Sequence, residues 1–388
     1  MAIRKCARED PAFSRLLQVY EHREQTAQAW RSAGKKVVAK LGFDVPDEMV
    51  IAAGMLPVQV YADPDQSLEK TDTYLEFAFD PLVRHQFEKI VDGTYQTQAD
   101  FLAISNSTDV VIRVFLYLRE MRRQGLEQIP PVTFLDWLFT RHRLYQQRNE
   151  LTVQMFWQQL EQWSGQPITE AALREAMHLC NENRQALRTM QALRRGETVR
   201  ITGCEALVII GAGFFMEKQE HTALVRQVTA AAQQWDPVSG VRVFLTGSAQ
   251  EDTQLYQMIE ELGAVVVGED HDWGDRSFDR DCNPDYPVVR SLVDRYMLRE
   301  FSAKKAFVSQ RVDALLRQVA DSNAQAVLFY NHIYEEAASW DYPSQAAALR
   351  NAGIPSASFA KMYYPVTANP ELPDALKKFL QGEAICHG

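Results

Sequence analysis

Apolar positions recur along this chain with two different periods, and the alternation between them divides it into strands and helices. Phe13, Leu16, Leu17 and Tyr20 stand at helical spacing in a polar background, so residues 10–35 read as one amphipathic helix that stops at Gly34. Lys36-Val37-Val38-Ala39-Lys40-Leu41 has strand composition. Val45-Pro46-Asp47-Glu48 then opens a helix, because proline suits a position whose N–H has no helical partner and acids suit the positive end. Residues 54–61 lead into a second strand, and Phe101-Leu102-Ala103-Ile104 forms a third. The run Ser105-Asn106-Ser107-Thr108-Asp109 supplies capping residues ahead of a helix over 110–119.

From residue 134 to 196 the pattern is helical, with long segments over 151–163 and 168–194 separated by Ser164-Gly165-Gln166-Pro167. A helical insert is expected there, not further sheet. The strand–turn–helix rhythm resumes at 241–248, which ends on Gly247-Ser248, and continues with a helix over 253–262 and a strand over 264–268. A strand over 326–330 runs into an expected polar loop at Asn331-His332, and a helix over 345–351 precedes Gly353-Ile354-Pro355. The expected fold class is α/β, with two Rossmann-like (flavodoxin-like) parallel-sheet domains at 1–150 and 236–388 and a mainly helical connection at 151–235. There is no short repeat that would indicate a solenoid.

Composition narrows the function. With 388 residues, 46% hydrophobic and 24% charged, the chain is long enough for two cores and lacks the signature of disorder. A formal charge of -10 argues against nucleic acid and anionic membrane as partners, although it leaves room for a local basic pocket. The charged start is not followed by an apolar stretch of signal length, and no run of about 18 uncharged apolar residues exists. A cytoplasmic protein is therefore expected. Five scattered cysteines, with no Cys-x-x-Cys pair, indicate free thiols and not a disulfide framework or zinc ribbon.

Gly211-Ala212-Gly213 imitates the opening of a dinucleotide fingerprint, but Met216 stands where its third glycine belongs, and close helix packing is the competing reading. The loop Gly268 to Arg276 gathers carboxylates and His271 at a spacing that fits calcium loops poorly. It is expected to line a ligand at the carboxyl edge of the second sheet, with Trp273, Gly274 and Arg276 as candidates. By the same rule Ser105, Ser107, Thr108, Asp109, Gly247 and Ser248 are candidate substrate-binding residues, with Asp109 expected to cap its own helix and Thr108 to face the ligand. His332 and Glu335 are candidates for acid–base work, with a surface histidine as the alternative for the first. Phe134, Leu135, Trp137, Leu138 and Phe139 are a candidate interface with a homologous chain.

Several strings, taken in order, resemble subunits of the 2-hydroxyacyl-CoA dehydratase and benzoyl-CoA reductase family. They include Val45-Pro46-Asp47-Glu48, Ala52-Ala53-Gly54-Met55-Leu56-Pro57, Asn181-Glu182-Asn183-Arg184, Arg295-Tyr296 and Trp340-Asp341-Tyr342-Pro343, and the similarity spans roughly 34–356. The resemblance implies a subunit that pairs with a homologue, binds an acyl-CoA, and receives electrons from an ATP-hydrolysing iron–sulfur activator. It also implies a [4Fe–4S] cluster on three cysteines. Here the first ligand position is Thr108 and the third is Glu335, while the second falls in 298–302, which holds no cysteine. Thiolate suits iron and these oxygen groups replace it poorly, so no metal ligand and no cofactor is expected on this chain, with a cluster placed on a homologous partner. Glu335 then serves as a base, or fills the vacated space by bridging to Arg113 or Arg276. Two readings follow: a cluster-free half of a dehydratase or reductase, or a binding or scaffold homologue without redox activity.

Overall fold

The computed structural model describes residues 3–299 and 305–382. Two four-stranded sheets, parallel throughout, carry the chain. The first has β1 (Val37–Leu41), β2 (Leu56–Gln59), β3 (Phe101–Ser105) and β4 (Val132–Leu135) in the order β2-β1-β3-β4. The second has β5 (Val241–Gly247), β6 (Ala264–Glu269), β7 (Ala326–His332) and β8 (Ser356–Met362) in the order β6-β5-β7-β8. The two orders are the same when each sheet is counted from its own first strand, and both match the flavodoxin-like arrangement. β1 and β7 are buried at every residue, because helices cover both faces of the inner strands and leave no polar side.

A layer of helices ties the sheets together. The helix Glu170–Arg195 packs on the helices Asp47–Ala52 and Lys218–Ala232 and also reaches β6. The helix Gly203–Ala212 is buried on every side, as a helix without a polar face must be. It contains Gly211, and the close-packing reading of Gly211-Ala212-Gly213 holds: a Cβ on Gly211 would stand 2.5 Å from the Tyr20 ring, and one on Gly213 would stand 2.5 Å from the His221 ring. The segment leading into these glycines is this helix, where a dinucleotide turn needs a strand.

Several expectations are corrected. The first amphipathic segment is two helices, Pro11–Glu21 and Gln25–Ser32. β4 and β8 were not expected, and both are edge strands whose partly exposed residues lack a continuous apolar run. β7 runs two residues further than expected, so Asn331 and His332 are strand, not loop. The next helix starts at Glu336, because Pro343 lies inside it and not ahead of it. The aromatic run 134–139 is not an exposed patch: Leu135 and Trp137 are buried, and Phe134 stacks on Phe115 at 4.4 Å. Among the described residues, no helix is long and apolar enough to cross a membrane, and four cysteines are free thiols.

Candidate functional site

The carboxyl ends of both sheets open on one cleft of about 650 Å³, within the range of roughly 300–1,000 Å³ that small-molecule sites occupy. Its position follows from topology. In each sheet the chain leaves the first strand toward one side and the third toward the other, which opens a crevice between them.

Each crevice has a glycine at its lip. Gly42 follows β1 with φ +89°, and a Cβ there would stand 2.5 Å from the hydroxyls of Ser105 and Ser107 at the end of β3. Gly247 ends β5 with φ +121°, and a Cβ there would collide with the Tyr330 carbonyl and the Asn331 side chain at the end of β7. Both positions need the left-handed backbone and the missing side chain together.

On the first-sheet side, Thr108 caps the helix Asp109–Gln124 by accepting from the Val111 N–H at 3.3 Å. This corrects the expectation that Asp109 would cap: Asp109 is the first helical residue and also lines the cleft. The Ser105 and Ser107 hydroxyls lie 2.9 Å apart and accept from the Asp44 and Phe43 N–H groups. Asp44 is fully buried and accepts from Arg299 at 3.0 Å and Lys305 at 2.7 Å. Burial alone would raise its carboxyl, but these two cations outweigh that and hold it at about 2.

On the second-sheet side, Ser248 donates its backbone N–H to the Tyr330 carbonyl and accepts at Oγ from the His332 N–H at 2.9 Å. His332 is buried, so the surface reading of it fails, and its Nδ1 stands 3.5 Å from Asp80 Oδ1 of the opposite half. Glu335 lies at the cleft wall, just before the helix Glu336–Asn351. Burial pushes its carboxyl up to about 7, aided by the negative charges of Asp80 and Asp109 and opposed by His332 and Arg276. The expected bridge is not formed: Arg276 pairs with Asp272 at 3.6 Å, and Arg113 sits over the Phe79 ring at 4.2 Å.

The cleft thus brings together Ser107, Thr108, Asp109, Gly247, Ser248, Trp273, Arg276, His332 and Glu335. Ser105 and Gly274 stand behind it, a correction with a physical cause in each case. Ser105 is spent holding the Gly42 turn, and Gly274 packs against the Glu269 side chain. Glu269 and Asp275 in the acidic loop are tied up by Arg194 and Arg195. Sequence reasoning missed Gly42, Gln59, Asp80, Lys305 and Asn331, all of which line the cleft, while His271 lines it from the loop that was expected to do so. Gly42 was within reach, since it follows a recognised strand as Gly247 ends one.

The donor set does not fit an iron–sulfur cluster. Thr108 is occupied as a cap, Glu335 offers oxygen, and Leu298 and Arg299 carry no thiol; residues 300–302 of the second ligand stretch lie outside the described residues. Cys282 is buried elsewhere, beside Glu48 at 3.5 Å. Among the described residues, no group of three or more His, Cys, Asp or Glu is arranged to hold a metal ion.

Comparison with known proteins bears on this cleft. Residues 43–367 match the family described as 2-hydroxyglutaryl-CoA dehydratase, D-component. The chain is 25% identical over 344 residues to the (R)-phenyllactyl-CoA dehydratase beta subunit of Clostridium sporogenes, with 87% of each chain covered. It is 24% identical over 336 residues to the beta subunit of the lactoyl-CoA dehydratase of Anaerotignum propionicum, covering 83% of this chain and 85% of that one. It is also 24% identical over 361 residues to one of the subunits of the benzoyl-CoA reductase of Thauera aromatica, covering 88% and 90%.

Proposed function

The chain belongs to the 2-hydroxyglutaryl-CoA dehydratase D-component family, and from that membership we propose that it is a cluster-free subunit of a cytoplasmic dehydratase or reductase that holds an acyl-CoA thioester in the cleft between its sheets. Its partner in this reading is a homologous subunit that retains the cluster cysteines, fed by an ATP-hydrolysing iron–sulfur activator. The observation that carries the reading is that Thr108 and Glu335, which the family resemblance places at cluster-ligand positions, offer oxygen and not sulfur at the wall of a polar cleft. A chain reduced to scaffolding has no reason to keep a carboxyl that titrates near neutrality at the wall of such a cleft.

No step is assigned to a cluster on this chain. Its own groups bind and move protons. The backbone N–H groups at the start of the helix Asp109–Gln124 and the Arg276 guanidinium border the cleft and suit a thioester or phosphate oxygen. Glu335 holds a proton near pH 7 and can pass it to a departing hydroxyl, releasing water, or take one from the acyl chain.

Purification without oxygen, followed by iron and acid-labile sulfide analysis, tests the assignment. The expected result is a colourless chain when it is isolated alone, and a brown complex when it is isolated with its homologue. About four irons on the isolated chain would overturn it. A colourless chain that neither binds acyl-CoA nor associates with any homologue would favour the scaffold reading.

A further inference from the structure

We infer that the outward face of the helix Arg143–Ser164 is a docking surface for a second copy of this chain, paired with it antiparallel about a two-fold axis. The helix has 22 residues, about 33 Å at 1.5 Å per residue. Its inner face is spent on the molecule itself: Val153, Phe156, Leu160 and Trp163 are buried, and the helix packs on β4 and on the helices Asp47–Ala52 and Val288–Met297. Ten of its residues are exposed and none of the ten is acidic, in a chain whose formal charge is -10. Leu144, Leu151 and Met155 are 63%, 53% and 65% exposed, on a face where a solvated helix carries charged and polar groups. No residue of this helix lines the cleft, so the surface is separate from the site described above.

The exposed residues form a seam. Leu144, Arg148, Leu151, Met155, Gln158 and Gln162 follow one another in alternating steps of four and three, the spacing that keeps one line of side chains facing a neighbouring helix. The steps read the same from either end, so reversing the helix about Val153 lays the seam on itself. The charges beside the seam agree with that reversal. Arg143 and Glu161 are eighteen residues apart, which is five full turns, so they lie on the same flank. A two-fold axis that runs one helix against the other brings like flank to like flank, and sets Arg143 of each copy against Glu161 of the other. Arg143 is exposed, and Glu161 is partly exposed while its Oε1 accepts from the Trp157 indole N–H at 3.1 Å and the Ile168 N–H at 2.9 Å.

Distance decides the orientation. With the axis at Val153, Leu151 packs beside Met155 of the second copy, Arg148 beside its Gln158 and Leu144 beside its Gln162. Arg143 then comes within about 3 Å, measured along the helix, of level with Glu161. The two Arg148 residues stand about 15 Å apart along the helix, beyond the screening length of about 8 Å at physiological salt. Parallel pairing would instead stack Arg148 on Arg148 and Arg143 on Arg143. A partner without an acid at the place of Glu161 would leave Arg143 unmatched, whereas a copy of this chain meets each condition. Ten exposed residues a side is fewer than the roughly 20–30 of a standard interface, so the pairing is weak, with dissociation on the order of micromolar.

The test is sedimentation equilibrium of the full chain, alone and in any complex in which it is isolated. The expected result is self-association at ~100 µM that is lost on dilution towards ~1 µM, the isolated chain forming a dimer and a complex forming a pair of complexes. Leu151→Glu, at a residue already half exposed, should weaken the association at least ~10-fold while the dilute protein melts as wild type does. Arg143→Glu sets like charges on the flank and should weaken it at least ~3-fold at low salt, a difference that about 1 M salt removes. That substitution puts an acid in the first turn of the helix, which favours the fold, so its effect is not a folding defect. Arg123→Glu, an exposed residue of another helix, should change nothing. A wild-type chain that stays monomeric at ~100 µM would overturn the inference, and so would association that either Leu151→Glu or Arg143→Glu leaves intact. If Leu151→Glu instead strips a homologous subunit from the complex, the face belongs to that subunit and the second copy falls.

Discussion

His332 Nδ1 stands 3.5 Å from Asp80 Oδ1, joining the last residue of a strand in the second sheet to the N-cap of the helix Pro81–Val91 on the first-sheet side. Asp80 is held in place by accepting from the Leu82 and Val83 N–H groups, so its charge is fixed at the cleft wall. That fixed charge is one of the causes that keep Glu335 protonated.

Glu335→Gln should therefore separate a proton-transfer role from a space-filling one. Burial, with Asp80 and Asp109 adding to it, raises the Glu335 carboxyl from its ordinary 4.5 to about 7. For a raised carboxyl, the stability present below the ordinary value is lost as pH rises through about 7. Wild type and variant should melt alike at pH 5, and the variant should be the more stable at pH 8 by on the order of 1 kcal/mol, a figure discounted for partial exposure. Turnover of the assembled enzyme should fall at least ~10-fold and lose any limb of its pH profile near 7. Unchanged turnover with an unchanged profile would remove Glu335 from the chemistry.

Gly211→Ala tests whether the Gly-x-Gly string is packing or a cofactor turn. The added Cβ would stand 2.5 Å from the Tyr20 ring inside a fully buried helix. Tyr20 is held by donating its hydroxyl to the Glu251 carbonyl at 2.8 Å, so the ring yields poorly. Overpacking of this kind costs about 1–3 kcal/mol. Chemical denaturation should show that loss, with acyl-CoA affinity per folded molecule unchanged. A loss of ligand affinity without a loss of stability would revive the cofactor reading.

The inner strands were legible because they are covered on both faces: Val37-Val38-Ala39 and Ala326-Val327-Leu328-Phe329 announce themselves as apolar runs. The edge strands were not, since β8 alternates small and polar residues and β4 runs straight into the aromatics at 137–139. The cleft's position followed from strand ends alone, and nine of the eleven residues proposed for it line it. What stayed hidden depends on contacts distant in sequence. Asn331 looked like loop because the pairing of its neighbours Tyr330 and His332 with the edge strand β8 was invisible, and Lys305, which lines the cleft, is paired there with Asp44, 261 residues away. The Asp80–His332 contact is likewise set by how the halves meet, and no local pattern encodes it.

Asp44 provides the last test, because it ties the wall of the cleft to the helical segment that leads to Arg299. It is fully buried and accepts from Arg299 and Lys305. Arg299 keeps other partners, since it also bonds the Phe43 and Arg276 carbonyls and pairs with Asp272 at 3.3 Å. Lys305 has less to fall back on: its ammonium lies 4.9 Å from the Phe139 ring, and burial, helped by the nearby Arg299, already pulls it below the ordinary lysine value despite Asp44. Removing the carboxylate thus strands one buried cation, which costs about 3–5 kcal/mol. Asp44→Asn should lose that much at pH 7 by denaturant unfolding. Because the cations hold the Asp44 carboxyl at about 2, below its ordinary 3.8, its contribution is present above pH ~4 and is lost as pH falls through about 2. The gap between wild type and variant should accordingly narrow below pH ~4. Asp44→Asn with Lys305→Met removes both charges, and a neutral pair in a buried site is tolerated far better than a lone ion. The double variant should recover at least half of the loss, a coupling that a double-mutant cycle reads directly. Additive losses in the double variant would show that Asp44 acts through the Phe43–Ser107 turn alone and not through the buried cation.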